Sequence, residues 1–295
     1  MWSGEGKISS GVGAQLRAEL SFRAREFAAS KKLACCESYG QTPVVCYEPS
    51  EDGLAHGNFM PQSYQAILKT EPWRKRLEKV HTQARGSLPA RDRRWRELDS
   101  CNSSDALLMN IFCCPGTLKA RGVFDLLGVE LGAAPVFGFK ARVPLANGRV
   151  DRTEVDMRLG ELLVEAKLTE SDFQIREAAA VEVYRDFREV FDLRVLPRCD
   201  GQYVSYQLIR NVLAAHASGC SFCVMADERR PDLREAWYAV MRCVRSAELR
   251  VRCKMITWQE LAGVVPRALQ KFLEEKYGVC CSWAIFPGQR SNLRG

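Results

Sequence analysis

The sequence predicts an α/β domain with a mixed central sheet, built in the order α-β-β-β-α-β. Three observations carry this. Residues 154–168 alternate apolar and polar side chains with period two, which is a hairpin signature. Asn102-Ser103-Ser104-Asp105 caps a helix whose apolar stripe is Leu107, Leu108, Ile111 and Phe112. After the hairpin, Tyr206, Ile209, Val212 and Leu213 share one helical face, and the apolar run Ser221 to Ala226 follows as a strand.

The elements follow in order. Residues 1–14 are Gly- and Ser-rich and are expected to be loose. Leu16, Leu20, Phe27 and Ala28 recur at helical spacing and predict a helix over 14–36. Residues 40–60 hold Pro43, Pro49, Gly53 and Gly57 and read as loop. Residues 61–85 read as helical, with Pro72 starting a second helix. A short helix is expected from Thr117 to Leu127, then strands over Val136–Val143, Arg152–Arg158 and Glu161–Leu168. A polar helical stretch runs from Glu170 to about Asp192, then a helix over Tyr203–His216. The strand Ser221–Ala226, a helix over Ala236–Arg245, a strand Met255–Thr257 and a mostly helical Trp258–Tyr277 complete the pattern. This divides the chain into a basic, mainly helical N-terminal extension (1–100), a core with C-terminal helices (101–285) and a tail (286–295).

Composition narrows the class. The 295 residues are 46% hydrophobic and 27% charged, enough for a sizeable core. Collagen, a disordered tail protein and a disulfide mini-scaffold are excluded. No apolar run approaches the ~18 residues of a membrane span, and the start lacks a signal-type stretch, so a cytoplasmic protein without membrane contact is expected. The 13 cysteines include the adjacent pairs Cys35-Cys36, Cys113-Cys114 and Cys280-Cys281, which suits a reducing compartment and small buried hydrophobes. Cys220 and Cys223 form a C-x-x-C on a strand, where they face opposite sides, which disfavours a shared metal. His56, His81 and His216 are scattered outside zinc motifs, and no G-x-S-x-G or Walker motif occurs.

The net charge is +7, and its placement matters more than its size. Between Lys69 and Arg96 lie ten basic residues against three acidic ones, which equals the whole excess. Arg91, Arg93, Arg94 and Arg96, interleaved with Trp95 and preceded by Trp73, suit a phosphate-tracking surface with stacking indoles. A solvated helix face with both indoles packed inward fits the same segment equally well.

The hairpin is the informative segment. With a turn at Leu159-Gly160, Arg158 pairs with Glu161, Asp156 with Leu163 and Glu154 with Glu165. One face then holds Val155, Met157, Leu162, Val164, Ala166 and Leu168. The other brings together Glu154, Asp156 and Glu165, with Lys167 beyond Glu165. Crowded carboxylates raise one another's pKa unless a cation intervenes, and hard oxygens suit magnesium or manganese. Lys167 is placed to stabilise developing negative charge or to position a water. A solvent-exposed sheet face with alternating charges accounts for the same pattern.

Asp156, followed after eight residues by Glu165-Ala166-Lys167, resembles the signature of the PD-(D/E)XK nuclease superfamily, with Val155 where the nominal Pro stands. Ser103-Ser104-Asp105-Ala106-Leu107, Glu165 to Phe173, Tyr206-Gln207-Leu208-Ile209-Arg210-Asn211 and Thr257-Trp258-Gln259-Glu260-Leu261 are similar to stretches of a bacterial restriction endonuclease family. The resemblance spans roughly residues 46–277. It implies a restriction-endonuclease-like αβββαβ core and metal-assisted hydrolysis of phosphodiesters in DNA. Asp156, Glu165 and the carbonyl of Ala166 would ligate magnesium, manganese being the alternative. Lys167 would act on the water or the transition state, and Gln207 would stand beside it. An acid on the first core helix would be Asp105, or as second choice Glu97. Arg210, at i+3 from Gln207, suits a phosphate contact or a salt bridge. Symmetric double-strand cutting takes two sites, which makes a homodimer compatible with the resemblance. Endo- and exonuclease, restriction and repair stay open, as do three rivals: a non-catalytic nucleic-acid-binding relative, an iron–sulfur nuclease and a structural protein.

Overall fold

The computed structural model describes residues 8–38, 43–80 and 94–281. In chain order the N-terminal part holds α1 (Ile8–Lys31), β1 (Cys35–Ser38), β2 (Val44–Tyr47), α2 (Pro61–Lys69), α3 (Glu71–Arg76), α4 (Ser104–Phe112) and α5 (Arg121–Leu127). Then come β3 (Pro135–Lys140), the short β4 (Val143–Pro144) and β5 (Val150–Asp151), β6 (Glu154–Leu159) and β7 (Leu162–Ala166). A broken stretch follows, with β8 (Arg176–Glu177), α6 (Ala178–Val181), α7 (Phe187–Val190), β9 (Arg198–Cys199) and β10 (Gln202–Tyr203). The chain closes with α8 (Tyr206–Ser218), β11 (Ser221–Ala226), α9 (Pro231–Met241), α10 (Ala247–Arg252), β12 (Cys253–Thr257), α11 (Trp258–Ala262) and α12 (Arg267–Tyr277).

The predicted α/β class and mixed sheet are present. Five strands lie in the order β12-β11-β7-β6-β3. β3, β6 and β7 form an antiparallel meander, whereas β11 runs parallel to both β7 and β12. A parallel neighbour cannot be reached by a tight turn, and α8 lies in the connection from β7 to β11. With α4 ahead of the meander, the order is αβββαβ.

Both sheet faces are covered. Met157, Leu159, Leu162, Val164, Cys223 and Met225 join α1, α4, α5, α11 and α12 in one apolar layer. Leu163, Phe222, Val224 and Ala226 join α8 and α9 in the other. Cys220 and Cys223 fall in opposite layers, so they cannot share one ion. α4 turns Leu107, Leu108, Ile111 and Phe112 to the sheet, and Ala106 and Met109 to Tyr64 and Ile67 of α2. A helix apolar on both sides is a buried one.

Several expectations need correction. Helix α1 starts at Ile8, inside the stretch expected to be loose, and it ends by Lys31 so that Cys35–Ser38 pairs with β2. β2 lies in the segment read as loop because Val44, Val45, Cys46 and Tyr47 are all buried despite the flanking prolines. Residues 170–192 form only short pieces, as their apolar residues Phe173, Val181, Phe187 and Val190 lack a continuous stripe. The hairpin loop is Gly160-Glu161, since Leu159 pairs with Leu162. Gly160 has φ +56°, and glycine is preferred at the first central position of such turns. This register differs by two residues from the expected one, which preserves the faces. Val155 departs from the alternation and packs in the second layer, whereas Met157 packs in the first.

Candidate active site

The β6–β7 ladder stops at the pair Met157↔Val164. Continuing its register sets Asp156 against Glu165, where Leu163 was expected. Ala166 donates its backbone N–H to Asp156 Oδ2 at 2.7 Å, so the side chain of one strand is tied to the backbone of the other. Glu165 and Lys167 are each 4% exposed, which overturns the solvated-face reading of this part of the hairpin.

Glu165 Oε1 lies 3.0 Å from Lys167 Nζ, and its Oε2 accepts from Asn211 Nδ2 at 2.9 Å. Lys167 Nζ donates to Gln207 Oε1 at 2.8 Å and lies 5.5 Å from the Phe173 ring centroid. Gln207 and Asn211 are one turn apart on α8, so an i, i+4 pair grips the i, i+2 pair Glu165 and Lys167 at the end of β7. The Lys167 backbone is pinned too. Its N–H donates to the Met225 carbonyl at 2.8 Å, and its carbonyl accepts from Trp258 Nε1 at 2.9 Å. Ser104 Oγ donates to Glu170 Oε1, and the Leu168 N–H donates to Glu170 Oε2, both at 2.6 Å. The helix-start motif and the strand motif are thereby joined.

Electrostatics separates the acids. Burial, then the charges of Glu165 and Asp105, holds the Asp156 carboxyl well above the ordinary carboxylate range. Burial pulls the Lys167 ammonium down, but Glu165, Glu170 and Asp156 outweigh it, and the net shift is upward. Asp105 is also buried, yet Lys79 at 2.7 Å and Arg76 at 3.0 Å bring its carboxyl below the usual value. Glu97 pairs with Lys79 at 2.8 Å, and Glu154 with Arg76 at 2.9 Å. Glu154 therefore belongs to an arginine on the far side of Asp156, not to a compact trio of acids.

The residues fit a magnesium ion. Among the described residues no group of three or more His, Cys, Asp or Glu is arranged to hold a metal. Magnesium is usually held by one or two carboxylates and keeps several waters. Asp156 and Glu165 supply two carboxylates, and the Ala166 carbonyl is the third oxygen of the expected set. Each carboxylate retains lone pairs beyond its hydrogen bonds.

Arg210 is a correction. It is 2% exposed, its Nε donates to Asp151 Oδ2 at 3.2 Å, and its guanidinium also donates to the carbonyls of Thr153 and Glu154 and to Asn211 Oδ1. No face is left for a phosphate. Arg94 is exposed, pairs with Glu48 and stacks 4.2 Å over Trp95. Arg96 pairs with Glu78. Arg91 and Arg93 lie outside the described residues. Trp95 is buried and Trp73 half-buried, so the indoles pack inward instead of offering stacking faces.

Asn211 and Trp258 are the residues that sequence reasoning missed. Both stand in the quoted family-like stretches, and Asn211 is i+4 from Gln207. That spacing was the available signal. The sequence matches, over residues 22–278, the family described as Restriction Endonuclease associating with ARP.

The chain belongs to that family.

No curated protein and no solved structure matches it. The match to the restriction endonuclease family covers Asp105, Asp156, Glu165, Lys167, Gln207 and Asn211 alike. Among the described residues, no helix is long and apolar enough to cross a membrane.

Proposed function

We propose that this chain is a metal-dependent endonuclease of the PD-(D/E)XK type, hydrolysing phosphodiester bonds in DNA. The observation that carries the reading is the half-buried Asp156 beside the buried pair Glu165 and Lys167 at the point where β6 leaves β7, with Lys167 held by Gln207. Membership in a restriction endonuclease family supports DNA as the substrate.

In this reading Asp156, Glu165 and the Ala166 carbonyl hold magnesium, with manganese as a substitute. The bound ion supplies Lewis-acid activation and neutralises charge on the scissile phosphate. Lys167 presents its ammonium to the attacked phosphate oxygens, where charge builds up. Gln207 and Glu165 orient that ammonium, and burial keeps bulk water away from it. Asn211 orients Glu165 in turn.

The test is cleavage of supercoiled plasmid and linear DNA with magnesium, manganese or EDTA. Wild type is expected to cut with either metal and not in EDTA, and Asp156→Ala and Lys167→Ala are expected not to cut. Unaltered cutting by either variant would sink the assignment. DNA binding without cleavage under any metal would favour a non-catalytic relative.

A further inference from the structure

Arg76, at the end of α3, reaches into the acid cluster. Its Nη2 donates to Asp105 Oδ2 at 3.0 Å and its Nη1 to Glu154 Oε2 at 2.9 Å. Its side chain is only 12% exposed, and Asp156 is a third carboxylate acting on its charge. Nε has no hydrogen-bond partner among the described residues. The acids, and not a general polar pocket, therefore hold the guanidinium.

The slot is built for this side chain. In the β3–β6 register, Phe137 pairs with Met157 and Phe139 with Val155, so Gly138 stands across from Asp156. A Cβ at Gly138 would collide with Arg76 Nη1 and crowd Glu154 Oε2. Helix α3 is docked beside it by Trp73, whose Nε1 donates to the Pro135 carbonyl at 3.2 Å and whose ring meets Phe137 edge-on. Lys79 holds Asp105 from the other direction.

Hydrolases that use two metals place the second ion about 3.5–4 Å from the first, clamping the other oxygen of the displacement. Here Asp156 faces Glu165 on one side and the Asp105–Glu154 pair on the other. The second side already holds a cation. A guanidinium stays protonated in proteins and offers no lone pair to a metal, so it repels a divalent ion from that place.

We propose that Arg76 is a built-in replacement for a second divalent ion, filling the space among Asp105, Glu154 and Asp156, so that the site takes one metal per chain. This rests on the metal-dependent reading above and adds the stoichiometry and the identity of the replacing group. Arg76 would then supply fixed positive charge on the side of Asp156 away from Glu165.

The test is manganese binding to the full chain, counted from the electron paramagnetic resonance signal of free Mn²⁺, with circular dichroism to verify folding. Wild type is expected to bind one Mn²⁺, Asp156→Asn none, and Arg76→Lys one. Folded Arg76→Gln is expected to bind two. Arg76→Ala, which clears the slot altogether, is also expected to bind two, and it serves if Arg76→Gln does not fold. Two ions on wild type, or one on a folded Arg76→Gln or Arg76→Ala, overturns the proposal while the metal-dependent reading stands. No Asp156-dependent Mn²⁺ on wild type overturns both.

Discussion

Asn211 donates its side-chain amide to Glu165 Oε2 across 2.9 Å, and its own Oδ1 accepts from Arg210 Nη1 at 2.8 Å. The second bond fixes which end of the amide faces the acid. Arg210 thus sets the orientation of Asn211, and Asn211 that of Glu165.

Asn211→Ala should leave Glu165 Oε2 buried without this donor. The expected cost is about 1–3 kcal/mol, the range for orphaning a buried polar group. Urea unfolding measures it. DNA cleavage should fall with KM little changed, because the lost contact orients the site and does not bind substrate. Asn211→Asp should be worse on both counts, since it sets a second carboxylate against Glu165.

Arg210 offers a different test. A phosphate contact contributes to the slope of log K against log salt, and removing one reduces that slope by about 1. Arg210→Gln should leave the slope of DNA binding unchanged, because the guanidinium is spent on Asp151 and the 153–154 backbone. It should lower the unfolding midpoint instead, as breaking a buried ion pair costs about 3–5 kcal/mol. A reduced slope with unaltered stability would contradict this assignment.

Asp156→Asn should raise the melting temperature without metal, because it removes a half-buried carboxylate that Glu165 and Asp105 repel. A gain of about 0.5–2 kcal/mol is the usual size of a single stabilising substitution. On the proposed magnesium site, wild type should gain stability from the ion and the same variant should not. Differential scanning calorimetry with and without magnesium reads both effects.

Lys276 makes stability depend on pH. Its ammonium is buried 4.1 Å from the Tyr47 ring centroid and donates to Asn58 Oδ1 at 2.6 Å and the Gly57 carbonyl at 3.1 Å, with no carboxylate among these contacts. Burial pushes its pKa well below the lysine range, and the nearby Cys101 thiol opposes this only in part. The unfolded chain, with lysine near about 10.4, takes up the proton first as pH falls. Stability therefore declines from alkaline pH down to the folded pKa, by up to about 1.4 kcal/mol per pH unit, and levels off below it. Lys276→Met should remove that slope in urea unfolding measured across pH, whatever constant offset the lost hydrogen bonds add.

The sheet and hairpin were legible because period-two alternation and a capped apolar helix are local signals. The grouping of Asp156, Glu165 and Lys167 was legible through the register, since a slip of two residues leaves the faces intact. Arg210 stayed open between a phosphate contact and the salt bridge it makes, because i+3 spacing places a residue on a helix but does not say whether that face meets solvent or a strand. Arg76 stood only as one of the ten basic residues between Lys69 and Arg96, because nothing local announces that α3 docks on β3. Asp105 was the first choice for the extra acid, yet its partners Arg76 and Lys79 come from the N-terminal segment, at sequence separations of 29 and 26 residues. Residues 40–60 were read as loop because prolines outweighed a four-residue apolar run.

The grip of α8 on β7 orders events during synthesis. Glu165 waits 46 residues for Asn211, Lys167 waits 40 for Gln207, and the Lys167 carbonyl waits 91 for Trp258. A chain emerging from the ribosome therefore displays both acids and the lysine before any of these three partners has been made, at about 5–20 residues per second. Until the crossover docks, the ammonium and carboxylate explore many geometries, and closing so long a loop is an entropic cost met only by late contacts. A half-made copy carries Glu165 and Lys167 without their alignment, and the pair is fixed only once the last third of the chain has been made.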